Sequence, residues 1–129
     1  MTKPSLIVIA VLTAFASAAG AAGTPSHGSM GSMGKKTSGR ATLKGVDYYY
    51  EVRGQGEPLL MLHGGLGNSD MFEPLLPLFA GRQVITVDLQ GHGRSSLGNR
   101  PIRCDAIADD VAALLKRLLD ADLIERIPP

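Results

Sequence analysis

Two short glycine-rich stretches hold most of the residues that could do chemistry. His63-Gly64-Gly65-Leu66-Gly67-Asn68 follows the apolar run 59–62 directly, and Asp88-Leu89-Gln90-Gly91-His92-Gly93-Arg94-Ser95 begins near the end of the run 83–89. Gly64, Gly65 and Gly67 lack a Cβ, so backbone N–H groups there can approach a ligand closely and point inward. Such a cradle stabilises negative charge, which suits either a phosphate or the oxyanion of a tetrahedral intermediate. His63 and His92 read first as hydrogen-bonded struts of their loops and second as bases. Cys104 is the single cysteine, so no intrachain disulfide and no Cys-based zinc site can form, and it reads as a small packed hydrophobe.

The elements that must position these loops alternate in type. Residues 41–46 form a weak strand candidate ended by Gly45 and Asp47, and the aromatic, β-branched run 48–52 a second one. Residues 54–58 read as a turn. Leu59-Leu60-Met61-Leu62 and 83–89 are continuous apolar runs, the pattern of strands buried on both faces. A short helix is expected between residues 69 and 80, restricted by Pro74 and Pro77 and closed by Gly81. A second helix starts at Asp105, read as its cap, and shows its apolar stripe at Ile107, Val111, Leu114, Leu115 and Leu118. Its charges follow the helix dipole, with Asp109 and Asp110 early and Lys116 and Arg117 late. Strand, helix, strand, helix at these spacings predicts a mainly parallel α/β sheet, whose ligands bind beyond the carboxyl ends of the strands. Both glycine-rich loops leave at that edge.

The ends of the chain are of a different character. Lys3 followed by the apolar residues 6–16, then Ala16-Ser17-Ala18, is the pattern of a cleavable export signal over residues 1–22. The expected destination is the periplasm or the outside, with a membrane-anchored form if the signal is retained. The apolar stretch is interrupted by Thr13, Ser17 and Gly20 and is shorter than the ~20 residues of a spanning helix. Residues 23–40 are rich in Gly, Ser, Thr and Lys and read as a flexible linker; Gly34-Lys35-Lys36-Thr37 does not keep P-loop spacing. Residues 41–129 make the globular part, room for one small domain. That part holds 9 basic against 12 acidic side chains, so it offers no basic field to a nucleic acid. Neither a metal nor another cofactor is called for.

From about Tyr48 to Leu118 the sequence closely resembles the N-terminal half of α/β-hydrolase-fold enzymes of the single-domain esterase, epoxide hydrolase and C–C hydrolase type. The pair of motifs that carries the resemblance is strand-His-Gly-Gly at residues 63–65 and Asp-Leu-x-Gly-His-Gly-x-Ser at residues 88–95. The resemblance implies that His63-Gly64-Gly65 is the oxyanion loop, with the backbone N–H of Gly65, or of Leu66 in a shifted register, as a donor. It further implies that His63, Gly64, Asp88, Gly91, His92, Gly93 and Ser95 support the loops. The implied reaction is hydrolysis of an ester-like bond through a covalent acyl or alkyl intermediate.

That family places its nucleophile on a G-x-S-x-G elbow, with acid and His further on. No serine here fits: Ser95 has Gly93 before it but Leu97 after it, Ser69 has Gly67 and Met71, and Ser96 has Arg94 and Gly98. No catalytic side chain is therefore assigned, and the expectation is a sheet truncated before the elbow strand, as from a disrupted reading frame, and inactive alone. An apolar edge beside residues 59–62 would then be open to self-association. A small-molecule substrate is expected only once the missing half is supplied. The alternatives are a non-catalytic exported fragment or partner-complementing module, and a dinucleotide-binding fragment. The last draws on Gly65-x-Gly67 and on Asp88, but Asp70 stands where that pattern needs a third glycine.

Overall fold

The run Pro58–Leu62 (β4) sends alternate side chains to opposite faces of a sheet, and both faces are covered. Leu60 packs with Ile85, Val87, Tyr48, Val111, Leu114 and Leu118 on one side. Leu59 and Met61 pack with Val84, Phe72 and Leu76 on the other. The computed structural model that shows this describes residues 33–126 in full and the backbone of residues 7–10. Its strands are β1 (Ile7–Ala10), β2 (Lys36–Leu43), β3 (Val46–Arg53), β4 and β5 (Gln83–Val87), in the sheet order β1-β4-β5-β3-β2. A 3₁₀ helix, Ser69–Phe79, connects β4 to β5, and the α-helix α1, Cys104–Asp120, follows β5. Continuous burial of β4 and β5 between these two helical layers explains their unbroken apolar runs.

The sheet is mixed. β4 and β5 are parallel, as expected, whereas β3 runs antiparallel to β5 and β2 antiparallel to β3. The first hairpin also differs from the sequence expectation of one strand over 41–46. Lys44 (φ 47°) and Gly45 (φ 84°) form a two-residue turn with both residues left-handed, so Leu43 pairs with Val46 and pairing runs out to Lys36 opposite Arg53. Residues 36–40, assigned by composition to the linker, are therefore strand; residues 23–32 lie outside the described residues.

The short helix expected between residues 69 and 80 is present as Ser69–Phe79, in 3₁₀ form because Pro74 and Pro77 remove amides that an α-helix of this length would use. Two further expectations are corrected. The cap of α1 is Arg103, without a side-chain cap bond, while Asp105 sits inside the first turn, accepts from the Ala106 amide at 2.8 Å and pairs with Arg103. The expected bare edge of β4 is occupied as well. β1 lies along it in parallel, from Ile7 opposite Leu59 to Ala10 opposite Leu62. The rest of the signal reading, including Ala16-Ser17-Ala18, lies outside the described residues.

A buried polar network ties α1 to the sheet. The Tyr48 hydroxyl donates to Asp110 Oδ2 at 2.6 Å, and the Arg100 guanidinium donates to the same oxygen. Burial, then the carboxylate beside it, pushes the Tyr48 phenol well above its ordinary value of 10.0. Tyr48→Phe is expected to cost about 1.5–3 kcal/mol in urea unfolding, the worth of a hydrogen bond to a charged acceptor. Asp110→Ala should cost more, because both donors then lose their acceptor. Equal stability of Tyr48→Phe and the natural chain would show the network to be idle.

Candidate functional site

Because β4 and β5 are parallel neighbours, with Leu62 opposite Val87, the loops that leave them emerge side by side. Each loop contributes one imidazole that accepts an amide of the other. His63 Nε2 accepts from the Leu89 amide at 2.9 Å, and His92 Nε2 accepts from the Leu66 amide at 3.2 Å. In each ring Nδ1 faces a carbonyl, Gly64 O at 2.7 Å for His63 and Gln90 O at 2.9 Å for His92. With Nδ1 as donor and Nε2 as acceptor, both rings are the neutral Nδ1-H tautomer. Their centroids lie 5.2 Å apart. Neither imidazole has a free nitrogen with which to act as a base.

Asp88, fully buried, anchors both loops from beneath. Its Oδ1 accepts from the Ser69 amide at 2.7 Å, and its Oδ2 from the Arg94 amide at 2.9 Å and Arg94 Nε at 3.0 Å. Burial alone would raise this carboxyl, but the donors from Ser69 and Arg94 outweigh it and hold the pKa below the ordinary carboxylate value. Gly93 is required beside it, since at φ 51° a Cβ would stand 2.4 Å from Asp88 Oδ2. The Ser95 hydroxyl donates to the Asp88 carbonyl and accepts from the Tyr49 amide at 2.9 Å, which joins this loop to β3. Gly91, at φ 74°, turns the loop back so that its amide donates to Ser96 O at 2.9 Å.

The two oxyanion candidates separate in this geometry. The Leu66 amide is taken by His92, and Leu66 itself is strained (φ 64°) with its side chain 99% exposed. A non-glycine residue in that region costs about 1–2 kcal/mol, offset here by the imidazole bond. Gly65 is exposed, its amide has no partner among the described residues, and a Cβ there would meet nothing within 4 Å. An unpaired N–H at an open loop position can donate to an anionic oxygen. Gly64 instead offers its carbonyl to His63 and to the Gly67 amide.

Three residues outside the sequence-derived set also build the site. Arg94 spans Asp88 and Asp70 and lies 4.1 Å over the Tyr49 ring. Gln90, fully buried, donates to Leu97 O and Arg100 O and so closes the loop that leads to α1. Ser69 supplies the amide that meets Asp88. Arg94 and Gln90 stand within the 88–95 motif, where an acid and a base six positions apart were a signal for a pair.

The buried position of His63 makes the lacing pH-sensitive. Burial lowers its pKa below the ordinary 6.5, outweighing the Gly64 carbonyl bond that raises it. Above pH 6.5 the ring is neutral in both states and its contribution is complete. As pH falls below 6.5, the unfolded chain binds a proton that the folded ring refuses, so stability declines until the folded pKa is passed. Urea midpoints between pH 8 and pH 5 are expected to fall more steeply for the natural chain than for His63→Gln. Parallel slopes would count against this coupling.

Comparison with known proteins places this geometry. Residues 57–125 match the family model described as alpha/beta hydrolase fold. The chain is 34% identical over 84 residues to the uncharacterized hydrolase YraK of Bacillus subtilis, covering 63% of this chain and 31% of that protein. It is 37% identical over 81 residues to 2-(acetamidomethylene)succinate hydrolase of Mesorhizobium japonicum, covering 62% and 27%. A crystal structure of E-2-(acetamidomethylene)succinate hydrolase superposes with a TM-score of 0.59 at 31% identity, covering 66% of this chain and 32% of that one. The chain thus spans about a third of the length of the curated relatives it matches. With more than half of its residues inside the match and two laced loops at the ends of parallel strands, the chain belongs to the α/β-hydrolase-fold family.

Proposed function

We propose that this chain carries the oxyanion side of an exported hydrolase that cleaves ester-like bonds through a covalent intermediate. The attacking residue, its acid and base, and the lid come from sequence outside these 129 residues. The single observation that carries the reading is the Gly65 amide, unpartnered among the described residues and open on a loop that His63, His92 and Asp88 hold rigid. A donor fixed before charge develops needs no reorganisation at the moment of reaction, which is what an oxyanion requires. The hydrolases among the relatives support this class, and residues 1–22 supply the export reading.

The chain's own side chains support the assignment of no nucleophile. Ser95 is buried with its hydroxyl committed to the Asp88 carbonyl, and His63 and His92 have both nitrogens engaged. The 129-residue chain is therefore expected to show no turnover and no covalent label with an activated ester. Turnover with acylation of one of its own side chains would overturn the proposal.

The donor is tested in a chimera that joins residues 33–126 to the remaining portion of a matched hydrolase. Gly65→Pro deletes the amide hydrogen, whereas Gly65→Ala keeps it and adds a methyl into open space. Gly65→Pro should lower kcat for a p-nitrophenyl ester by about 10²–10³-fold while Gly65→Ala stays within a few-fold of the parent. Equal activities of the two variants would remove Gly65 from the oxyanion site.

A further inference from the structure

We propose that Ile7–Ala10 is a self-supplied, detachable edge strand: the apolar part of the leader fills the slot beside β4 and shields it from other chains. β4 is buried on both faces, so its outer edge is a row of main-chain donors and acceptors in the apolar middle of the sheet. Four successive residues of the leader meet that row in parallel, Ile7, Val8, Ile9 and Ala10 against Leu59, Leu60, Met61 and Leu62. The first three are β-branched, the residue type that fits a pleated strand, and they are the β-branched cluster of the leader's apolar region.

The same geometry makes the strand detachable. Among the described elements β1 lies against β4 alone. It stands at one edge of the sheet, opposite β2, and has no second strand beyond it among the described residues. Four rungs and one neighbour are what the sheet can lose without unpacking either helix. Cleavage after the leader would remove the strand and open the slot to a short, apolar, parallel strand from elsewhere. The leader in this reading has two uses, as an export signal and as the guard of an edge that would otherwise pair with other chains.

The inference is independent of the hydrolase reading, since neither of its tests depends on turnover. In the full 129-residue chain carrying Cys104→Ser, Ala10→Cys and Leu62→Cys stand opposite one another, within the Cα separation a disulfide needs. Mild oxidation should join them within one monomer, while Ala10→Cys with Met61→Cys, one residue out of register, should not close. A bond between two chains would mean that a second copy fills the slot, and equal or absent closure in both pairs would mean that β1 is not seated; either result overturns the proposal. A second variant leaves the core untouched. Ile9→Pro removes the strand's central amide, and hydrogen exchange within residues 58–62 should then quicken at least tenfold, with larger species in sedimentation. Unchanged exchange and a monomeric Ile9→Pro chain would likewise overturn it.

Discussion

Two backbone amides, those of Leu66 and Leu89, end on imidazole nitrogens contributed by each other's loop, and the rest of the site depends on that exchange. Loops at strand ends carry amides that neither helix nor sheet can satisfy, and a buried unsatisfied amide costs as much as a lost hydrogen bond. Here each loop resolves the other's deficit. The cost is that both rings must be neutral and must present Nε2 as acceptor, which their carbonyl-facing Nδ1 atoms enforce. Histidine is used as a fixed acceptor of defined direction, not as a proton carrier.

The lacing would be loose without the charge beneath it. Asp88 draws Ser69 at the start of the 3₁₀ helix and Arg94 in the second loop toward one carboxylate, so the two loops share an anchor as well as their crossed bonds. A buried carboxylate without partners would be strongly unfavourable, yet this one meets two amide donors and a guanidinium. The guanidinium is in turn held over Tyr49 and by Asp70. Asp70 also bears on the dinucleotide alternative. A carboxylate at the first turn after the glycine loop would face a pyrophosphate bound there, and the helix behind it is 3₁₀ with two prolines. The exposed Gly65 amide, without a partner among the described residues, offers one donor, which suits one oxygen better than an extended phosphate pair.

The sheet edge obeys the same rule of satisfied backbone. β2 can face water because its outward residues alternate exposed and half-buried, whereas β4 cannot, because its neighbours on both faces are apolar. The seat taken by Ile7–Ala10 follows from that difference. A segment whose composition reads as a leader is also the one in the first ten residues with a run of β-branched side chains. Composition suited to crossing a membrane and composition suited to a buried strand overlap, so one stretch can satisfy either demand.

Much of the architecture was legible from residue order. The apolar runs at 59–62 and 83–87, the stripe through Val111, Leu114, Leu115 and Leu118, and the glycine loops after each strand all reflect whether a side chain meets water, which is a property each position carries by itself. The hairpin start at Lys36 and the cap at Arg103 differ from the sequence reading, and the 3₁₀ form of the middle helix goes beyond it, since these depend on turn dihedrals and on competition between nearby hydrogen-bond partners. The crossed histidine bonds and the seat of β1 had no local signature. Each crossed bond joins residues 26 positions apart, and β1 meets β4 across 52 positions, from Ile7 to Leu59. Amide, imidazole and edge strand are generic partners, and which of them meet is settled when packing brings two strand ends, or an edge and a β-branched run, to within hydrogen-bonding distance.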